Sequence, residues 1–89
     1  MHQVDCPTGS DATIMAAPGH GRILYVKNMD DTSTLEVYEG ASTDNDLIGV
    51  LKPGEFLFTI IRGTGTTTAR GTSNAVTAEY FAVEIDSAA

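Results

Sequence analysis

From Pro18 onward, turn-forming residues recur about every 8–12 positions, and each interval holds a short run that alternates between two faces. No window of about eleven residues repeats apolar positions at helical spacing against a polar opposite face. Such a chain is limited to an all-β fold. The runs are "ATIMAA", with Ile14 and Ala16 against Thr13 and Met15, and "RILYVKN", with Leu24 and Val26 against Ile23 and Tyr25. Next come "TLEVYE", with Leu35 and Val37 against Glu36 and Tyr38, then "LIGVL" and "FLFTII". A Thr-rich run at Thr66 to Arg70 reads as an edge strand, and the last strand is Ala75 to Ile85. Between them lie "PGHG", "MDDTS", "GASTDND", "KPGE" and "TSN". In "KPGE", Pro53 presets φ for one central position and Gly54 supplies the positive φ of the next, a type II turn. In "MDDTS", aspartate side chains accept from nearby backbone N–H groups. Gly49, inside "LIGVL", marks a bulge or a close approach of another backbone. The expected architecture is a small β-sandwich or jelly-roll-like barrel of about seven strands. Residues 1–89 form a single β domain, with residues 1–17 either a first strand or an N-terminal arm.

Three of these strands are apolar on both parities. In "FLFTII", Phe56, Phe58 and Ile60 share one face, with Leu57 and Ile61 on the other. In the last strand Val76, Ala78 and Tyr80 agree with each other, and from Phe81 the pattern switches to Phe81, Val83 and Ile85. Either a bulge near Tyr80 resets the register, or both faces are covered. A sandwich buries one face of each sheet, so its strands should alternate apolar and polar. The surplus calls for a second surface, against copies of the chain or a larger assembly. The plain alternative is register bulges and scattered surface apolar residues.

Size sharpens the point. A chain of 89 residues buries only roughly 60–65% of the surface its unfolded form exposes. Its one cysteine, Cys6, cannot make an internal disulfide. Fully burying a Phe or Ile side chain contributes about 1.5–3 kcal/mol. An interface of a few such residues would offset the small core. The contact residues expected on this reading are Phe56, Phe58, Ile61, Tyr80, Phe81 and Val83, with Arg62 and Arg70 as ion-pair partners.

Five basic against twelve acidic residues leave a net charge of −7, which argues against nucleic-acid binding. No apolar run approaches the ~18 residues of a membrane span. "MHQVDCPTGSD" lacks the basic and apolar regions of a secretory signal, so a reducing cytoplasm is the expected folding compartment. His2, His20 and Cys6 show no metal-ligand spacing. Asp30–Asp31 and Asp44 to Asp46 lack the spacing of a calcium loop and read as turn chemistry. "GTGT" at Gly63 to Thr66 lacks the lysine and helix of a phosphate loop. No serine sits in a nucleophile elbow, Cys6 precedes Pro7 with no positioned base, and the glutamates read as solvated strand faces. The chain is therefore expected to be no enzyme and to need no cofactor and no metal. Tyr25, Tyr38 and Tyr80 offer a sugar-stacking platform as a separate reading.

Taken together, "RILYVKN", "LEVYEG", "LIGVLKPGEFLFTI" and "TTTARGTSNAVTAEYFAVEI" resemble the small virion structural proteins of tailed bacteriophages, above all head decoration, or cement, proteins. The resemblance spans Arg22 to Ile85 and is one of general character rather than of a diagnostic motif. It implies a sandwich subunit, often trimeric, bound to the major capsid protein on the outside of the shell and assembled in the host cytoplasm. It implies no catalytic residues. The alternatives it leaves are a tail, collar or fibre component, including one that contacts host glycans, and a free carbohydrate-binding module.

Overall fold

The computed structural model describes residues 2–15, 21–40, 43, 46–61 and 66–84. Among them are eight strands and no α-helix: β1 (His2–Cys6), β2 (Ala12–Met15), β3 (Arg22–Asn28), β4 (Leu35–Glu39), β5 (Leu47–Leu51), β6 (Phe56–Ile61), β7 (Thr67–Gly71) and β8 (Val76–Glu84). They form two four-stranded antiparallel sheets, sheet A in the order β1-β8-β3-β6 and sheet B in the order β2-β7-β4-β5. The all-β expectation holds, as a small sandwich of eight strands. The extra strand is β1, in the segment read as an arm or first strand. It pairs residue for residue with β8, from His2 opposite Tyr80 to Cys6 opposite Val76. Only the β4–β5 connection stays within one sheet; every other connection crosses between the layers.

The core lies where the inner faces meet. Sheet A contributes Cys6, Leu24, Val26, Ile61, Val76 and Ala78, and sheet B contributes Ile14, Leu35, Val37, Leu51 and Ala69. Both ends of β3 place a polar side chain in this layer. The guanidinium of Arg22, fully buried, donates to Thr67 Oγ1 from Nε at 3.0 Å and from a terminal nitrogen at 2.6 Å. The Asn28 carboxamide donates to the carbonyls of Ser33 at 2.8 Å and Leu51 at 2.9 Å, and accepts from the Asp30 N–H at 2.8 Å.

The turns expected at "KPGE" and "MDDTS" form, while Pro18 to His20 of "PGHG" and residues 41–42 and 44–45 of "GASTDND" lie outside the described residues. The Glu55 N–H donates to the Lys52 carbonyl at 2.9 Å, and Gly54 has φ of 80°. The Asp30 carboxylate accepts from the backbone N–H groups of Thr32 and Ser33 at 3.0 and 2.7 Å. These bonds hold its pKa below the ordinary 3.8. Gly49 sits beside a register shift between β4 and β5, and a Cβ there would come within 3.0 Å of the Leu57 side chain. One expectation fails. The Thr-rich run is not an edge strand: β7 lies between β2 and β4, with Thr67 and Thr68 buried. Their hydroxyls are tolerated inside because Thr67 accepts from Arg22, and Thr68 donates to the Gly40 carbonyl at 2.7 Å.

Candidate functional site

Strand β8 runs beside β3 in unbroken register, from Asn28 opposite Ala78 to Arg22 opposite Glu84. No bulge resets it at Tyr80. The change of parity is therefore a change in what the two faces carry. Val76, Ala78, Tyr80 and Ala82 turn inward, and Phe81 and Val83 turn outward. Strand β6 is equally regular against β3. It turns Leu57, Thr59 and Ile61 inward and Phe56, Phe58 and Ile60 outward.

Strand register assembles the outward residues into three rows across sheet A. Ile60, Ile23 and Val83 form the first, Phe58, Tyr25 and Phe81 the second, and Phe56, Lys27 and Glu79 the third. The rings touch. Tyr25 stacks on Phe81 with centroids 5.4 Å apart, Phe81 meets Phe58 edge-on at 6.1 Å, and Tyr25 lies 5.9 Å from Phe56. Mutual contact fixes the rings without hiding them: Phe56 and Phe58 remain 61% exposed, Ile60 54% and Val83 52%. The Tyr25 hydroxyl points to the Glu79 carboxylate at 3.5 Å. Its pKa is raised above the ordinary 10.0, first by burial and then by the negative charge of Glu79. It therefore stays a neutral donor at physiological pH.

The outer face of sheet B differs in kind. There Glu36 lies opposite Arg70 in the strand register, the Tyr38 hydroxyl donates to Glu36 at 2.8 Å, and Arg70 donates to the Thr8 carbonyl. The ring array belongs to the outer face of sheet A alone, while the outer face of sheet B is polar except at its β5 edge, where Val50 and Leu47 are exposed opposite Glu36 and Tyr38.

The structure gathers Phe56, Phe58, Phe81 and Val83 on the outer face of sheet A and separates the other expected contact residues from it. Ile61 is a core residue, 7% exposed, because it faces inward at the end of β6. Its neighbour Ile60 takes the outward position. Tyr80 also faces inward and packs against the core, with the His2 ring 5.5 Å away. Arg70 belongs to the outer face of sheet B. Arg62, His20, Ile85, Asp44, and residues 63–65 of the "GTGT" stretch lie outside the described residues. Sequence reasoning missed Ile23 and Tyr25 as members of the face, although their parity opposite Leu24 and Val26 was visible. The three tyrosines do not form one platform: Tyr25 is on the outer face of sheet A, Tyr38 is beside Glu36 on sheet B, and Tyr80 is turned inward.

Among the described residues no three of His, Cys, Asp and Glu come together as a metal would require, and no helix is long and apolar enough to cross a membrane. Compared with known protein families, with curated proteins and with solved structures, the chain matches none.

Proposed function

We propose that this chain is a virion structural protein of a tailed phage, a decoration subunit that binds the outside of the head through the outer face of sheet A. The observation that carries this reading is the one-sided apolar array centred on Phe58, Tyr25 and Phe81. Its exposed apolar area is on the order of 500 Å², at the upper end of what single-chain soluble proteins leave open. A flat, ring-lined surface of this kind suits a broad protein partner better than a small ligand, which needs concavity. The acidic remainder, with net charge −7, favours solubility of the free protein before it docks.

The mechanism is mechanical. A subunit that binds the assembled shell but not its dissociated parts stabilises the assembly by mass action. No bond is made or broken. The test is to add purified protein to undecorated heads. Saturable binding in a fixed ratio to capsomers, a raised head disruption temperature, and loss of both with Phe58→Ser or Val83→Ser are expected. Retention on tails, or on a glycan array with no binding to heads, would instead favour the tail-component or carbohydrate readings and end this one.

A further inference from the structure

Each sheet has two edges, and three of the four are guarded. Strand β1 carries His2 and Asp5, β2 is broken by a register shift between Thr13 and Met15, and β5 is offset from β4 by another shift. Charges and bulges are the usual devices against edge-to-edge association. Strand β6 has neither. Phe56–Ile61 holds no charge and no proline, and its pairing with β3 is unbroken over six residues. Exposed apolar residues gather on the same side: of the seven large hydrophobics most exposed among the described residues, Leu47, Val50, Phe56, Phe58 and Ile60 lie on β5 and β6.

We infer that β6 pairs antiparallel with β6 of a second copy of this chain, joining two sandwiches through a two-fold axis at Phe58. The backbone is set for it. The Glu55 carbonyl accepts from Asn28 on β3, so alternation turns the N–H and C=O groups of Phe56, Phe58 and Ile60 to the open edge. Residues paired across two strands must share a face. Centred on Phe58, the register sets Phe58 against Phe58 of the second copy and Phe56 against its Ile60, so every outward side chain meets an apolar one. Shifting the register by one permitted step in either direction takes an apolar neighbour from Phe56 or Ile60. Charge opposes a second copy least at this edge. Two subunits that each carry −7 meet along a strand without charge, where repulsion is weakest.

Area supports the pairing as well. One apolar face of roughly 500 Å² falls short of the ~800 Å² per partner of a typical stable complex, whereas two faces made continuous across β6 exceed it. This last argument rests on the shell-docking reading; the edge argument does not. A strand that pairs with itself closes at two copies, in place of the three that the phage resemblance implies.

Sedimentation equilibrium of the purified chain at micromolar concentration tests the inference. A dimer is expected, with the amide hydrogens of Phe56, Phe58 and Ile60 protected from exchange in concentrated but not in dilute solution. Phe58→Lys sets two lysines opposite each other and should weaken dimerisation about tenfold or more, with the thermal midpoint of the dilute monomer unchanged. Val83→Lys, on the same face but away from the edge, should leave the dimer intact and abolish binding to heads. A monomer, a trimer, or a dimer indifferent to Phe58→Lys would overturn the inference. A dimer that ignores heads would overturn only the shell-docking reading.

Discussion

The carboxamide of Asn28 bonds to Ser33, Leu51 and Asp30, while its backbone bonds to Glu55 and Gly54. One side chain therefore ties the end of β3 to the Asp30 loop, the end of β5 and the "KPGE" turn. Asn28→Ala leaves two buried carbonyls and an N–H without these partners, and should cost about 3 kcal/mol or more in urea unfolding. Asn28→Asp should fare no better, because it replaces a two-bond donor with a charge facing two carbonyls. Cys6 makes stability depend on alkaline pH. Burial, reinforced by Asp5, lifts its thiol from 9.0 to about 11. A pKa raised in the folded state means that its contribution is fully present below pH 9 and is lost as pH rises through about 11. Tyr25 and Tyr38, also raised, add to the loss above 10.0. The measurement is therefore a difference: between pH 9 and 11 the wild type should lose stability more steeply than Cys6→Ala, and equal slopes would contradict the assignment.

Strand β6 puts two isoleucines side by side in sequence and on opposite sides of the sheet. Ile61→Ala opens a cavity in the core and should cost about 2–4 kcal/mol. Ile60→Ala removes an exposed side chain and should cost the dilute monomer less than about 1 kcal/mol, while weakening binding to heads. Thermal melts of the two variants beside a head-binding assay separate the roles. Alternation alone already placed these residues on opposite faces; what it left open was which face is inside. That depends on neighbours. The inner face of β6 is the one registered with Leu24 and Val26, and Ile23 and Tyr25 are apolar enough to have been either. The same limit explains β7. Its threonines read as an edge because hydroxyls are costly inside, and only the position of Arg22, 45 residues away, shows how Thr67 is satisfied. Turns were legible because their chemistry is local: Gly54 and Asp30 do what their immediate neighbours require. Sheet partners were not, because all but one connection crosses between the layers.

At the scale of the whole molecule the first strand closes on the last. Strand β1 covers one side of β8 and brings Cys6, with Val4 packed beside it, against the core. The chain then crosses to sheet B, held by the Gly71 N–H donating to the Pro7 carbonyl at 3.1 Å and by Arg70 donating to the Thr8 carbonyl. A pairing between chain ends forms only after everything between them is roughly in place, since closing so long a loop costs entropy before contacts reward it. Removing residues 2–6 should therefore do more than shorten a terminus. It would bare the long edge of β8, whose outer face already carries Phe81 and Val83, and uncover Val76 and Ala78 from the side. The truncated chain is expected to bind a hydrophobic dye, to lose its near-ultraviolet tyrosine signal and to aggregate, as an unprotected apolar edge does. Val4→Ser and Cys6→Ser keep the strand and weaken only its inward face. They should unfold cooperatively at lower urea while keeping that signal. A truncated chain that melts like the full-length protein would show that β1 adds nothing to the closure of the sandwich.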